Sequence, residues 1–281
     1  MSGAAGGGVL YYAVGGGLGH LVRARAVLHT LGLTEDAAIL TASPHADDRR
    51  VVGPVGVVRI PLDLERDRSA YRNWLTALLA DLRPRRLIVD AFPAGVLGEL
   101  AGLPALVHAG RIDHVARLLR WPAYARRLRS APPRFATTHL LEPLHADHHA
   151  MLTAASDEVV PLTLVDPPAD AGLPPVPGPF TLIAHSGPLA EVLTLVRRAQ
   201  GLRRPDPLVV CSREPVAGHL TWLDHFPVRT LLPHARRLVT GAGFNCVREG
   251  RAFGGEHHVV PFARPLDDQP ARAARYSPAG F

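Results

Sequence analysis

Short apolar runs alternate along the chain with stretches whose apolar residues recur every three or four positions. The runs are apolar at successive positions, not at every second one, which is the pattern of strands covered on both faces. In the first half they predict strands at Val9–Val14, Ala37–Ala42, Val57–Leu62, Leu87–Phe92, Ala105–His108 and Thr137–Leu141. Helical periodicity lies between them at His20–Leu31, ended by Gly32, and at Ala70–Leu82, ended before Pro84. Six of the 15 residues Val165–Pro179 are proline, which predicts an extended linker. The alternation then resumes, with strands at Phe180–Ala184, Leu208–Cys211, Leu238–Thr240 and His258–Pro261. Helices are predicted at Leu189–Gln200, Arg229–Arg237, Asn245–Phe253 and Asp267–Tyr276. Repeated βαβ units imply parallel sheets. The pattern therefore predicts two open α/β domains, 1–164 and 180–281, joined by a linker over 165–179. Ligands of such sheets bind at the carboxyl ends of the strands, so a cleft between the two domains is the expected site.

Composition narrows this picture. A chain of 281 residues can bury two cores, and 47% hydrophobic with 20% charged residues excludes a disordered protein. No run approaches the roughly 18 apolar residues of a spanning helix. The opening MSGAAGGG lacks the basic patch, apolar core and cleavage site of a signal peptide, so a cytoplasmic location is expected. Cys211 and Cys246 show neither metal spacing nor a disulfide framework. The net charge is +6, yet all 31 basic residues are Arg and they are scattered. No aromatic-basic interleaving accompanies them, so no nucleic-acid partner is expected. An anionic ligand or peripheral membrane contact is compatible with the charge.

Two glycine-rich turns between a strand and a helix carry the chemistry. In AVGGGLGHLVRARAVLHTLG, Gly15 and Gly17 fit a dinucleotide fingerprint, but its third glycine falls on His20. No acidic residue ends the second strand, since Asp47 and Asp48 come late and in a loop. An NAD(P)-dependent enzyme is thus a weaker reading, and the glycines also serve a tight turn. His20 sits in the first helical turn, where the positive helix end disfavours imidazolium. A neutral imidazole there is a candidate general base.

The second turn, LVTGAGFNCVREGRAFG, has Gly241 and Gly243 for close approach of a ligand. Amides opening the helix at Phe244 and Asn245 suit a diphosphate, and Glu249 lies one turn further on the same face, able to accept ribose hydroxyls. In HHVVPFARPLDDQ, Asp267, Asp268 and Gln269 offer acceptors for sugar hydroxyls; the alternative is that the two aspartates cap the last helix. The tract HLLEPLHADHHA brings His145, Asp147, His148 and His149 together without the spacing of a known zinc site. It reads as a solvated loop, and no metal is expected. A G-x-S-x-G hydrolase elbow is absent, because His185-Ser186-Gly187 lacks the preceding glycine.

Together these motifs resemble the glycosyltransferases with two Rossmann-like domains (the GT-B fold). The resemblance is to the family 28-type group that includes the peptidoglycan lipid II N-acetylglucosaminyltransferase. It rests on Gly16, Gly17, Gly19 and His20 with Arg23, and on Gly241–Asn245 with Glu249, Pro261 and Asp268-Gln269. Ser186-Gly187 matches the family's small-residue loop near the donor phosphates. VDAFPAGVLGEL, in which Asp90 ends a strand, resembles a less-studied branch of predicted transferases.

The resemblance implies an α/β fold of two Rossmann-like parallel-sheet domains facing across a cleft. The chain ends 12 residues after Gln269, so the second domain is expected to be shortened. It also implies a nucleoside-diphosphate sugar as substrate, a UDP-sugar by preference, with no metal or other cofactor. Glu249 would hold the ribose, Gly243, Phe244 and Asn245 the diphosphate, and Asp268 and Gln269 the sugar. Arg213 or Arg264 would help the leaving diphosphate. His20 is the preferred base, with Asp90 and Asp113 as alternatives, and the acceptor is a lipid, glycan or small molecule. Pro270, Ala271 and Arg272 replace the Asn-Ala pair usual in the family, which keeps open a non-catalytic protein that binds a nucleotide, a sugar or a partner.

Overall fold

All four residues of the first strand, β1 (Val9–Tyr12), are buried, as a run apolar at successive positions requires. The structure, a computed structural model, describes residues 7–276 apart from 62, 65–66, 170–171, 173–175, 177 and 204–205. After β1 come α1 (Leu18–Thr30), β2 (Ala37–Thr41), α2 (Arg49–Val52), β3 (Gly56–Arg59), α3 (Arg68–Leu82) and β4 (Arg86–Asp90). Then follow β5 (Ile112–Ala116), α4 (Trp121–Ala125), β6 (Phe135–Leu140), α5 (Ala146–Ala155) and β7 (Ser156–Pro161). The seven strands form one parallel sheet in the order β3-β2-β1-β4-β5-β6-β7. The chain builds outward from β1 on one side and returns to β4 on the other. Connections therefore diverge at the carboxyl ends of β1 and β4, the topological switch point where such sheets take ligands. On one face Leu10, Tyr12, Leu87 and Val89 pack with Tyr71, Leu75 and Leu79 of α3. That helix starts at Asp67, whose carboxylate accepts the N–H groups of Ser69 and Ala70.

The second sheet repeats the plan with β8 (Phe180–Ala184), α6 (Leu189–Gln200), β9 (Leu208–Cys211), β10 (Thr221–Leu223), β11 (Ala235–Gly241), α7 (Phe244–Gly250), β12 (Glu256–Val260) and α8 (Gln269–Tyr276). Its order is β10-β9-β8-β11-β12, again parallel throughout, with the switch point between β8 and β11. Val192, Leu195 and Val196 of α6 cover one face over Ile183, Val210 and Val239. Phe180, Leu182, Val209, Leu231 and Leu238 fill the other.

The described residues divide into two compact units, 168–264 with 268–276, and 7–167 with Pro265–Asp267. The sequence pattern had put Pro265–Asp267 with the second sheet. Leu266 is instead buried among Phe92, Leu119, Trp121 and Tyr124, and its carbonyl accepts the Arg120 N–H at 2.9 Å.

Several expected elements are corrected. Ala105–His108 is a 3-10 turn that begins at Pro104, and Arg229–Arg237 is a 3-10 segment, Val228–His234, running into β11. The strand expected at Val57–Leu62 ends at Arg59, and Leu62 lies outside the described residues, as do 170–171, 173–175 and 177 of the linker. The histidine tract is no solvated loop: it enters α5, and His148 is fully buried. His148 stacks on Trp121 with ring centroids 4.4 Å apart. Among the described residues no helix is long and apolar enough to cross a membrane.

Candidate active site

The first switch point gathers a buried charged cluster. Asp90 ends β4, its side chain wholly out of solvent. The next residue, Ala91, has φ +62, and the Phe92 N–H reaches back to the Asp90 carbonyl at 2.7 Å. A non-glycine residue in that conformation stores strain and turns the chain sharply just after the carboxylate. Tyr11 of β1 donates its hydroxyl to Asp90 Oδ1 at 3.0 Å. Arg23 of α1 donates Nε–H to Oδ1 at 2.7 Å and Nη2–H to Oδ2 at 2.5 Å. His20, one turn earlier on α1, places Nδ1 2.7 Å from Oδ2.

Electrostatics follow from these contacts. Burial alone would raise the Asp90 pKa, but the charge and hydrogen bonds of Arg23, with the bond from His20, hold it well below the usual carboxylate range. Burial lowers the His20 pKa, and the charges of Arg23 and Arg117 add to this against the pull of Asp90. His20 is therefore neutral near pH 7. Its side chain keeps 14% of its surface exposed, and Phe92 flanks the ring at 6.2 Å between centroids. Arg117, just beyond β5, lies over the Phe92 ring and is ion-paired with Asp267.

The glycine loop has a reason that composition did not reveal. A Cβ on Gly15 would lie 2.5 Å from His20 Nε2, and its φ is +154. Gly16 and Gly17, by contrast, have nothing within 4 Å of such an atom. Gly15 is thus required by the imidazole. Gly15→Ala is expected to push His20 off Asp90 and destabilise the first unit by about 1–3 kcal/mol, as overpacking does, whereas Gly16→Ala changes its stability by no more than about 0.5 kcal/mol. Equal urea midpoints for both variants would contradict this placement.

Asp113 does not join the cluster. It sits near the amino end of β5, where its carboxylate accepts Arg86 Nε at 2.5 Å, Arg111 Nε at 2.9 Å and the Thr137 N–H at 3.1 Å. Two residues further along β5, it is Val115 that stands level with Asp90. Asp113 is a structural ion-pair centre at the far end of the strands from His20, and it leaves the list of candidate bases. Asp90 also leaves it as a direct base, because it is held ionised and is enclosed by donors.

At the second switch point His185 follows β8 and points under two glycines. A Cβ on Gly187 would lie 2.4 Å from its Nε2, and one on Gly241 3.0 Å from its Cε1 and Nδ1. Gly187 is demanded by this ring and Gly241 packs closely on it, while Gly243 faces open space. His185 Nε2 pairs with Glu191 of α6 at 2.7 Å, and Arg264 closes on the same carboxylate at 2.6 and 2.5 Å. Ser186 is exposed beside them, and so is Arg213 beyond β9. Phe244 is buried, with Asn245 half-buried at the start of α7. The Glu249 side chain is 20% exposed and pairs with Arg248 at 3.4 Å.

Asp268 caps α8 by accepting the Ala271 N–H at 3.2 Å, as the capping alternative anticipated. Asp267 pairs with Arg117. Gln269 is buried and uses its side-chain carbonyl on the Phe262 N–H at 3.0 Å. Arg272 braces the β11–α7 turn by donating to the Ala242 carbonyl at 3.0 Å. The sequence pattern missed Tyr11, Gly15 as a packing residue, and the His185–Glu191 pair. Among the described residues no three of His, Cys, Asp and Glu are grouped as metal ligands.

Two doubly wound parallel sheets, the second smaller, with carboxyl-end loops carrying the polar clusters, define the GT-B class of fold. Solved structures share it. The glycotransferase of kitacinnamycin superposes with a TM-score of 0.61 at 18% identity, covering 96% of this chain and 84% of its own. The spinosyn forosaminyltransferase SpnP gives 0.65 at 12% identity, covering 99% and 87%. MurG of Acinetobacter baumannii gives 0.55 at 15% identity, covering 96% and 82%. No protein-family model matches the sequence, and neither does any curated protein.

Proposed function

We propose that the chain is a glycosyltransferase that moves a sugar from a nucleoside diphosphate to an acceptor hydroxyl. The observation that carries this reading is the pairing of His20 Nδ1 with the buried, ionised Asp90 at the switch point of a GT-B sheet. A carboxylate only accepts, so the His20 proton lies on Nδ1 and the Nε2 lone pair is the base. In the transfer the acceptor hydroxyl gives its proton to Nε2 while its oxygen bonds the anomeric carbon. The bond from that carbon to the diphosphate oxygen breaks, and the nucleoside diphosphate leaves with the electron pair.

The donor side rests on the resemblance of Gly241–Glu249 to the family's donor signature. In this reading the backbone at Gly243, Phe244 and Asn245 meets the diphosphate, Glu249 accepts the ribose hydroxyls, and a UDP-sugar is the preferred donor. Arg213, exposed beyond β9, adds positive charge for the departing diphosphate. Arg264 serves only after leaving Glu191. In this reading Asp268, which caps α8, also meets a sugar hydroxyl.

A panel of UDP-, dTDP- and GDP-sugars tests the reading, by thermal shift for binding and by nucleoside-diphosphate release for turnover. Stabilisation by one donor class, with release of its nucleoside diphosphate, is expected. Binding without release would make this a non-catalytic nucleotide-sugar protein, and a shift with NADH alone would overturn the reading.

A further inference from the structure

The Asp90 carboxylate has about four lone-pair sites, and four donors fill them. Oδ1 takes the Tyr11 hydroxyl and Arg23 Nε–H; Oδ2 takes Arg23 Nη2–H and His20 Nδ1. Arg23 Nη2 also lies 3.0 Å from His20 Nδ1. With Nδ1 protonated, that contact sets two donors side by side on one acceptor oxygen and is no hydrogen bond. Arg23 is only 3% exposed, and it stands three residues after His20 on the same helix, so the two side chains share a face.

We infer that Arg23 is the positioning residue of the proton-transfer step: its guanidinium fixes Asp90 as a filled, ionised acceptor, which forces the His20 proton onto Nδ1 and reserves Nε2 for the acceptor hydroxyl. This inference rests on the reading of His20 as the base. The planar fork of Arg matches both carboxylate oxygens, and no ammonium can do so.

Charge gives Arg23 a second effect. The charged groups facing His20 are Asp90 from β4, Arg23 from its own helix, and Arg117 from beyond β5; Asp267 pairs with Arg117 and also acts on Arg23. Tyr11 and Phe92 complete the surroundings without charge. These four charges sum to zero, so a protonated His20 meets no net counter-charge. In a bare Asp–His pair the carboxylate would stabilise imidazolium; here Arg23 has already neutralised it. The arrangement disfavours protonation of the base, and the lowered pKa of His20 agrees with it.

The test is histidine ¹⁵N NMR on the full-length chain, with the His20 signals assigned by their loss in His20→Gln. The wild-type protein should show the Nδ1–H tautomer and a protonation midpoint below 6.5. An Nε2–H tautomer in the wild type overturns the inference with no variant needed. In Arg23→Met the exposed charge of Asp90 should raise the midpoint by about one pH unit or more, and the acid limb of the kcat/KM profile should move with it. Arg23→Lys keeps the charge without the fork, so the midpoint should stay near that of wild type while kcat falls and donor KM does not change. Midpoints unmoved in Arg23→Met, or equally raised in both variants, reject the assignment. The NMR readout needs no turnover: its failure overturns the role of Arg23 alone, whereas normal titration with no turnover of any donor overturns the functional reading.

Discussion

Replacing Asp90 with alanine is expected to destabilise the first unit by about 3–5 kcal/mol, the range for removing one partner of a buried ion pair. Arg23 would keep its charge at 3% exposure without the carboxylate that receives Nε–H and Nη2–H. The Tyr11 hydroxyl, on a residue with no exposed surface, would lose its acceptor as well. The cost arises from what the substitution strands, not from the net worth of the pair. The double variant Asp90→Leu/Arg23→Met should therefore recover more than half of the loss, since it removes both charges together. Urea unfolding of the three proteins at pH 7.5 measures this. A loss below about 1 kcal/mol, the level of an exposed ion pair, would mean that Arg23 is not sealed against Asp90.

Acid should weaken the first unit through two histidines that take no part in the proposed transfer. His114 of β5 and His148 of α5 are fully buried, and among the described residues no protein group bonds their ring nitrogens. Burial pushes both pKa values from 6.5 down to about 3. The native state thus binds fewer protons than the unfolded chain between those limits. Stability is complete above pH 6.5 and declines as the pH falls towards 3. At pH 5 the loss is about 2 kcal/mol for each residue. His257, lowered to about 4 by burial, adds a similar sensitivity to the second unit. The variant His114→Leu/His148→Phe removes both titrating groups and keeps a ring against Trp121. Its stability should fall less steeply between pH 7 and pH 5 than that of wild type; identical slopes would show that these imidazoles reach water.

Much of this architecture could be read from periodicity because parallel strands are apolar at successive positions. Phe180–Ala184, Leu208–Cys211 and the helix Leu189–Gln200 fell where the pattern put them. The failures have separate causes. Ile112–Ala116 was missed because it buries Asp113 and His114, which break the apolar run but are held by Arg86, Arg111 and the Phe135 ring. Ser156–Pro161 is an edge strand with exposed Asp157 and Glu158. Pro104 turned the largely apolar run Ala105–His108 into a 3-10 turn, and Pro233 stopped an apparent helix short of β11.

At the site, His20 and Asp90 stood out in the sequence as a histidine opening a helix and an aspartate ending a strand. Their convergence with Tyr11 and Arg23 depends on β1 and β4 being sheet neighbours, which no local pattern encodes. The glycines were visible but their purpose was not. Gly15, Gly187 and Gly241 make room for imidazole rings of this chain, a use indistinguishable by composition from making room for a phosphate.

The most direct test of His20 as the base compares wild type with His20→Ala, using the donor found by screening. Turnover and donor affinity are measured separately, by nucleoside-diphosphate release and by calorimetry. The geometry predicts a fall in kcat of about 10²–10⁴-fold with donor affinity unchanged. An unaltered kcat, or a loss of affinity that accounts for the whole loss of rate, would contradict it.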